Sequence, residues 1–146
     1  MNCDTYNGHP NYRIGQTEAI AQELAAWLPI RCDTLSVAFL TEKTICELHR
    51  RFLRNPDPTD VITFPADENE VECAGEICIS VDEALKYAPQ KRLEEELTLY
   101  LVHGWLHLAG YRDEEEKERR TMRRMEQKAL NFLTTQLVCR LSVKKR

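Results

Sequence analysis

The sequence predicts an α+β (α/β-like) fold in which a small sheet of three or four strands is packed by helices. Three observations lead there. Short runs rich in strand formers recur at 34–40, 61–64 and 74–80. Segments with apolar residues at helical spacing lie between and after them. One segment, LYLVHGWLHLA at 99–109, is apolar or aromatic on nearly every side, so it belongs inside the molecule as a central helix. A chain of 146 residues fits a single domain, 1–146, with one core. With 42% hydrophobic and 30% charged residues, it is not a mostly disordered chain.

The first element is an amphipathic helix over 17–28, where Ala19, Ile20, Leu24 and Trp27 or Leu28 recur at helical spacing and Thr17 is the candidate N-cap. In the strand Thr34 to Leu40, Leu35, Val37 and Phe39 share one side. After Thr41 a second helix carries Ile45, Leu48 and Phe52 and ends before Pro56, while His49, Arg50, Arg51 and Arg54 are its polar residues. Asn55 to Pro58 make a turn, and Val61 to Phe64 a strand closed by Pro65. An acidic loop over 66–72 leads to the strand AGEICIS. Ser80 then caps a helix that stops near Pro89. The central helix begins at Lys91, with Glu94 to Glu96 suiting the positive end of its dipole. The last helix starts between Asp113 and Glu118. It packs through Met122, Met125, Ala129, Phe132 or Leu133, Gln136 and Leu137, with Arg119, Arg120, Arg123 and Arg124 exposed among glutamates. The terminal VKKR reads as a frayed basic tail.

Two residues interrupt the apolar surface of the central helix. His103 and His107 are four apart and share one helical face. Burying two imidazoles side by side is costly unless both find a partner, and one cation satisfies both lone pairs. The alternative is a pair of core histidines bonded to backbone. Gly110 ends the helix and lets the chain reverse, bringing Asp113 back toward the pair in the pattern HxxxHxxGxxD. Asp113 has a second possible role, because with Glu116 it forms the D-x-x-E start of a capping box. Zinc peptidases of related spacing place a general-base Glu directly after the first His; here that residue is Gly104.

HGWLHLAGYRD resembles the signature HGxLHLxGYDH of the YbeY family, bacterial metal-dependent endoribonucleases acting in ribosomal RNA maturation and ribosome quality control. His103, Gly104, Leu106, His107, Leu108, Gly110 and Tyr111 fall on the pattern. Arg112 and Asp113 stand where the family usually has Asp and a third ligand His. A carboxylate is an ordinary zinc ligand, so a third donor is retained with a different charge. PTDVITFP is similar to the family's PTDVLSFP, which lines the site, and Gly75 and Glu76 also fit. The resemblance implies a mixed sheet around the metal helix and one divalent ion per chain, zinc first, on His103, His107 and Asp113. It also implies RNA as partner, in the form of ribosomal RNA, the ribosome or its small subunit. The family's arginine ahead of the PTD segment corresponds to Leu53. Arg54, beside it, is the nearest candidate catalytic guanidinium, against the alternative of a solvent-facing arginine. Arg112 is another candidate phosphate contact.

The net charge of −4 requires a local basic patch if phosphates are to bind. Six cysteines without paired spacing read as free thiols in a reducing compartment. With neither a basic, apolar leader nor a membrane-length run, the chain is expected in the cytoplasm, away from membranes. His9 and His49 read as surface residues. Two rivals stand beside the nuclease: a metallopeptidase recruiting Glu76 or Glu114 as base, and a non-enzymatic ribosome assembly factor with a structural metal. An open coordination position separates enzyme from structural site.

Overall fold

A computed structural model of the chain describes residues 1–55, 57–67, 69 and 73–146. In chain order the elements are β1 (Asn2–Asn7), β2 (Tyr12–Gly15), α1 (Thr17–Trp27), β3 (Thr34–Leu40), α2 (Glu42–Leu53), β4 (Val61–Phe64) and β5 (Ala74–Ser80). There follow α3 (Val81–Leu85), α4 (Leu93–Leu108), α5 (Glu116–Thr134) and β6 (Ser142–Lys145). Four strands form a mixed sheet in the order β1-β3-β5-β4. In it β1, β3 and β5 are parallel, and β4 is an antiparallel edge.

Side-chain alternation divides the core between the two faces of this sheet. Leu35, Val37 and Phe39 of β3, with Ile77 and Ile79 of β5, join the large cluster that includes Ile20 and Leu24 of α1, Trp105 of α4 and Leu133 of α5. Ala38, Leu40 and Cys78 point the other way, toward Ile45 of α2. The central helix α4 is buried as its composition demands. Trp105 Nε1 donates to Leu28 O at 2.9 Å, tying α4 to the end of α1. Gly104 is required by this closeness, since a Cβ there would lie 2.7 Å from Ile77 Cγ2 and 3.2 Å from Val61 Cγ1.

The cap at Ser80 is as expected, accepting from the backbone N–H of Glu83, and Thr41 caps α2 in the same way, accepting from Thr44. Other expectations are corrected. Thr17 is the first residue of α1, not its cap; its hydroxyl is turned inward, and Gln16 takes the cap position at φ 69. The terminal residues are not frayed. They form β6, which pairs with β2, placing Val143 opposite Ile14, and Arg146 N donates to Asn11 O at 2.9 Å. Leu137 lies beyond α5 and is fully exposed rather than part of its packing face. His9 is 4% exposed, held by Asp82 at 2.8 Å, because α3 turns that carboxylate toward the β1–β2 turn. His49 is half-buried, its Nδ1 against Asp57 O. Of the acidic loop and the turn before β4, Pro56, Glu68, Glu70, Val71 and Glu72 lie outside the described residues. All six cysteines are free thiols. Among the described residues no helix is long and apolar enough to cross a membrane.

Candidate metal centre

The end of α4 closes in a Schellman motif. Tyr111 N donates to Leu106 O and Gly110 N to His107 O, each at 3.0 Å, with Gly110 at φ 103. This reversal returns the chain across the last turn of the helix. Asp113 Oδ2 comes to 3.2 Å from His103 Nε2 and 3.4 Å from His107 Nε2, and the two nitrogens are 3.0 Å apart.

Three donor atoms thus form a small, nearly equilateral triangle. Tetrahedral bonds of zinc length, about 2.0–2.1 Å, separate neighbouring ligand atoms by about 3.3 Å. The group fits a divalent cation on that measure, and His103, His107 and Asp113 can hold one. The triangle borders an open cleft of about 320 Å³ lined by Thr63, Pro65, His107, Tyr111 and Asp113 among others.

Glu126 of α5 fixes the orientation of one ring. An ionised carboxylate only accepts, so at 2.7 Å it takes the Nδ1–H of His103 and leaves the Nε2 lone pair facing Asp113 and His107. Burial disfavours the protonated ring. The hydrogen bond and charge of Glu126, with the charges of Asp60 and Asp113, outweigh it and raise the His103 pKa above its ordinary value. Sequence reasoning misses Glu126. Its signal is a carboxylate on the packing stripe of α5, between buried Met122 and Ala129.

The capping-box role that was the alternative for Asp113 belongs elsewhere. Glu115 accepts from the N3 backbone and Glu118 reaches back to Glu115 N, so α5 starts two residues later than Asp113 would set it. Gly104 faces Ile77 and Val61 of the sheet, where a peptidase-type glutamate would be driven into the core. Glu76 is exposed on β5, near the Cys78 thiol, and Glu114 at the cleft is paired with Arg112 at 3.0 Å. Arg112 is also drawn to Glu118. Arg54 is not among the residues lining the cleft. It caps the C-terminus of α2, exposed and left-handed at φ 54, with no side-chain ion pair among the described residues.

The family described as Endoribonuclease YbeY matches residues 12–134. The chain belongs to the YbeY family. The endoribonuclease YbeY of Protochlamydia amoebophila is 36% identical over 127 residues, covering 84% of this chain and 85% of its own. That of Carboxydothermus hydrogenoformans is 36% identical over 106 residues, 70% of this chain and 74% of its own. The solution structure of TM1509 from Thermotoga maritima shares the fold at TM-score 0.56 and 28% identity, covering 89% of this chain and 87% of that one. YbeY membership supports a nuclease acting on RNA, and the converging triad is the part of this chain suited to such chemistry.

Proposed function

We propose that this chain is a metal-dependent endoribonuclease of single-stranded RNA. In this reading it works in the cytoplasm on ribosomal RNA, in its maturation and in ribosome quality control, with residues 1–146 acting as one domain. The observation that carries the proposal is the triangle of His103 Nε2, His107 Nε2 and Asp113 Oδ2 at the border of an open cleft. These atoms would hold one divalent ion, zinc in the first instance. Bound there, the ion supplies a Lewis acid for a phosphoryl oxygen and lowers the pKa of water beside it.

The chain's own groups do the rest. Glu126 keeps the Nδ1 proton of His103 and so keeps its Nε2 available. Asp113 contributes a carboxylate where the family usually has an imidazole, which makes the centre less cationic and favours harder cations. Arg54, whose guanidinium has no acidic partner among the described residues, is the proposed contact for phosphate charge.

The test combines metal analysis with cleavage. Purified protein should carry close to one divalent ion per chain, and the double variant His103→Ala/His107→Ala should carry none. RNA cleavage should be sensitive to chelator and lost in His107→Ala although RNA is still bound. Arg54→Ala should slow cleavage at low RNA concentration about tenfold, through a weaker hold on the strand's phosphates. Peptides should remain uncut. Equal metal content in wild type and the double variant would sink the proposal.

A further inference from the structure

The C-terminal end of α2 exposes what a folded chain normally hides. Phe52 and Leu53 are each 55% exposed, side by side, among the exposed arginines Arg50, Arg51 and Arg54. In a chain of net charge −4 this is a local concentration of positive charge around apolar surface. Two side chains neighbour the Phe52 ring. The ring of its neighbour Phe64 stands nearly perpendicular to it with centroids 5.5 Å apart, and the Arg51 guanidinium lies over the Phe52 ring, 5.5 Å from its centroid.

The position of Phe64 connects this patch to the metal centre. Side chains alternate along β4: Ile62 and Phe64 belong with the α2 side of the sheet, whereas Val61 approaches Gly104 of α4 and Thr63 lines the cleft. Since β4 is the edge strand, no further strand lies beyond it among the described residues. The patch and the cleft lie on opposite faces of one short edge strand, at neighbouring positions of it. A flexible polyanion crossing that edge can touch both.

A second feature sets Arg54 apart. It occupies the left-handed position after a helix, at φ 54, which glycine usually takes because a side chain there is strained. The fold bears that strain and keeps an exposed arginine two residues after Phe52.

We propose that this patch is a subsite for single-stranded RNA outside the metal cleft, with an unpaired base stacked on Phe52 and the adjoining phosphates met by Arg51 and Arg54. This rests on the endoribonuclease reading. Stacking tolerates any base, and a duplex offers no unstacked base to Phe52, so the subsite selects single strands without selecting sequence. An aromatic platform flanked by cations is the combination that non-specific single-strand binders use.

The experiment measures binding and cleavage of a fluorescent oligoribonucleotide by the full chain, single-stranded and annealed to its complement. Phe52→Ala should weaken single-strand binding about tenfold or more and raise KM with little change in kcat, and leave duplex binding as it was. Phe52→Trp should restore binding. Arg54→Gly should weaken binding of both forms while leaving the melting temperature equal or higher, since glycine relieves the strain. Wild-type cleavage with unchanged single-strand affinity in Phe52→Ala would overturn the subsite alone and leave the patch to a protein partner. A wild type that neither binds nor cleaves RNA would overturn the subsite and the endoribonuclease reading together.

Discussion

Asp113 sits two residues ahead of the α5 cap, where no backbone N–H among the described residues claims its carboxylate. Ligation and capping can therefore be separated by substitution. Asp113→Asn should change unfolding free energy by less than about 0.5 kcal/mol yet lower affinity for a divalent ion at least tenfold, read by competition with a chelating dye. Glu126→Gln should cost about 10–100-fold in metal affinity, the usual effect of disturbing the partner of a ligating histidine. If the Asp113→Asn variant held its metal as tightly as wild type, the carboxylate would not be a ligand. The triad was legible because its spacing is local: helical geometry aligns His103 with His107, and Gly110 returns the chain to them. Glu126 was not, because it reaches His103 from another helix, 23 residues along the chain.

Among the elements, α3 is short but holds two others in place. Asp82 accepts from Glu42 N at 2.7 Å, at the start of α2, and contacts His9 at 2.8 Å, in the turn after β1. Partial burial would raise its carboxyl pKa. The Glu42 N–H and His9 outweigh that and hold it below the ordinary 3.8. A depressed folded pKa means that the stabilisation is present above the unfolded value and lost as pH falls through the folded one. Asp82→Asn should therefore lower unfolding free energy by about 1–3 kcal/mol at neutral pH, a difference that shrinks in acid below that ordinary value. A denaturation gap that stays constant with pH would contradict this linkage. The strands β3, β4 and β5 were readable from apolar alternation. β1, with the sequence NCDTYN, was not, because Asn and Asp disfavour strands and only pairing with β3 makes it one.

At the scale of the molecule, the two ends of the chain meet. The antiparallel β2–β6 pair seats Ile14, 2% exposed, opposite Val143, and Arg146 donates to Tyr12 O and Asn7 O. Such pairing leaves no local mark in sequence, and a short polar terminus reads as a tail. Deleting residues 142–146 should cost about 2 kcal/mol or more of stability, roughly the burial of one aliphatic side chain, while metal affinity stays as in wild type. An unchanged denaturation midpoint would return these residues to the status of a tail. That the sheet is mixed was expected only through family resemblance, and its strand order was not expected at all. Periodicity places a residue on a face, but which strands become neighbours depends on contacts far apart in the chain.

The contact between Gly104 and Ile77 also constrains how this scaffold could change its chemistry over evolutionary time. A lineage drifting toward a peptidase would need an acid at position 104, yet that side chain collides with Ile77 Cγ2 and Val61 Cγ1 before it can reach any substrate. The order of mutational steps is therefore fixed: the sheet has to yield first, through smaller residues at 77 and 61, and each of those alone leaves a void and offers no catalytic return. The route is closed to single substitutions, and the helix that carries the histidines is held to its present chemistry by the packing beneath it.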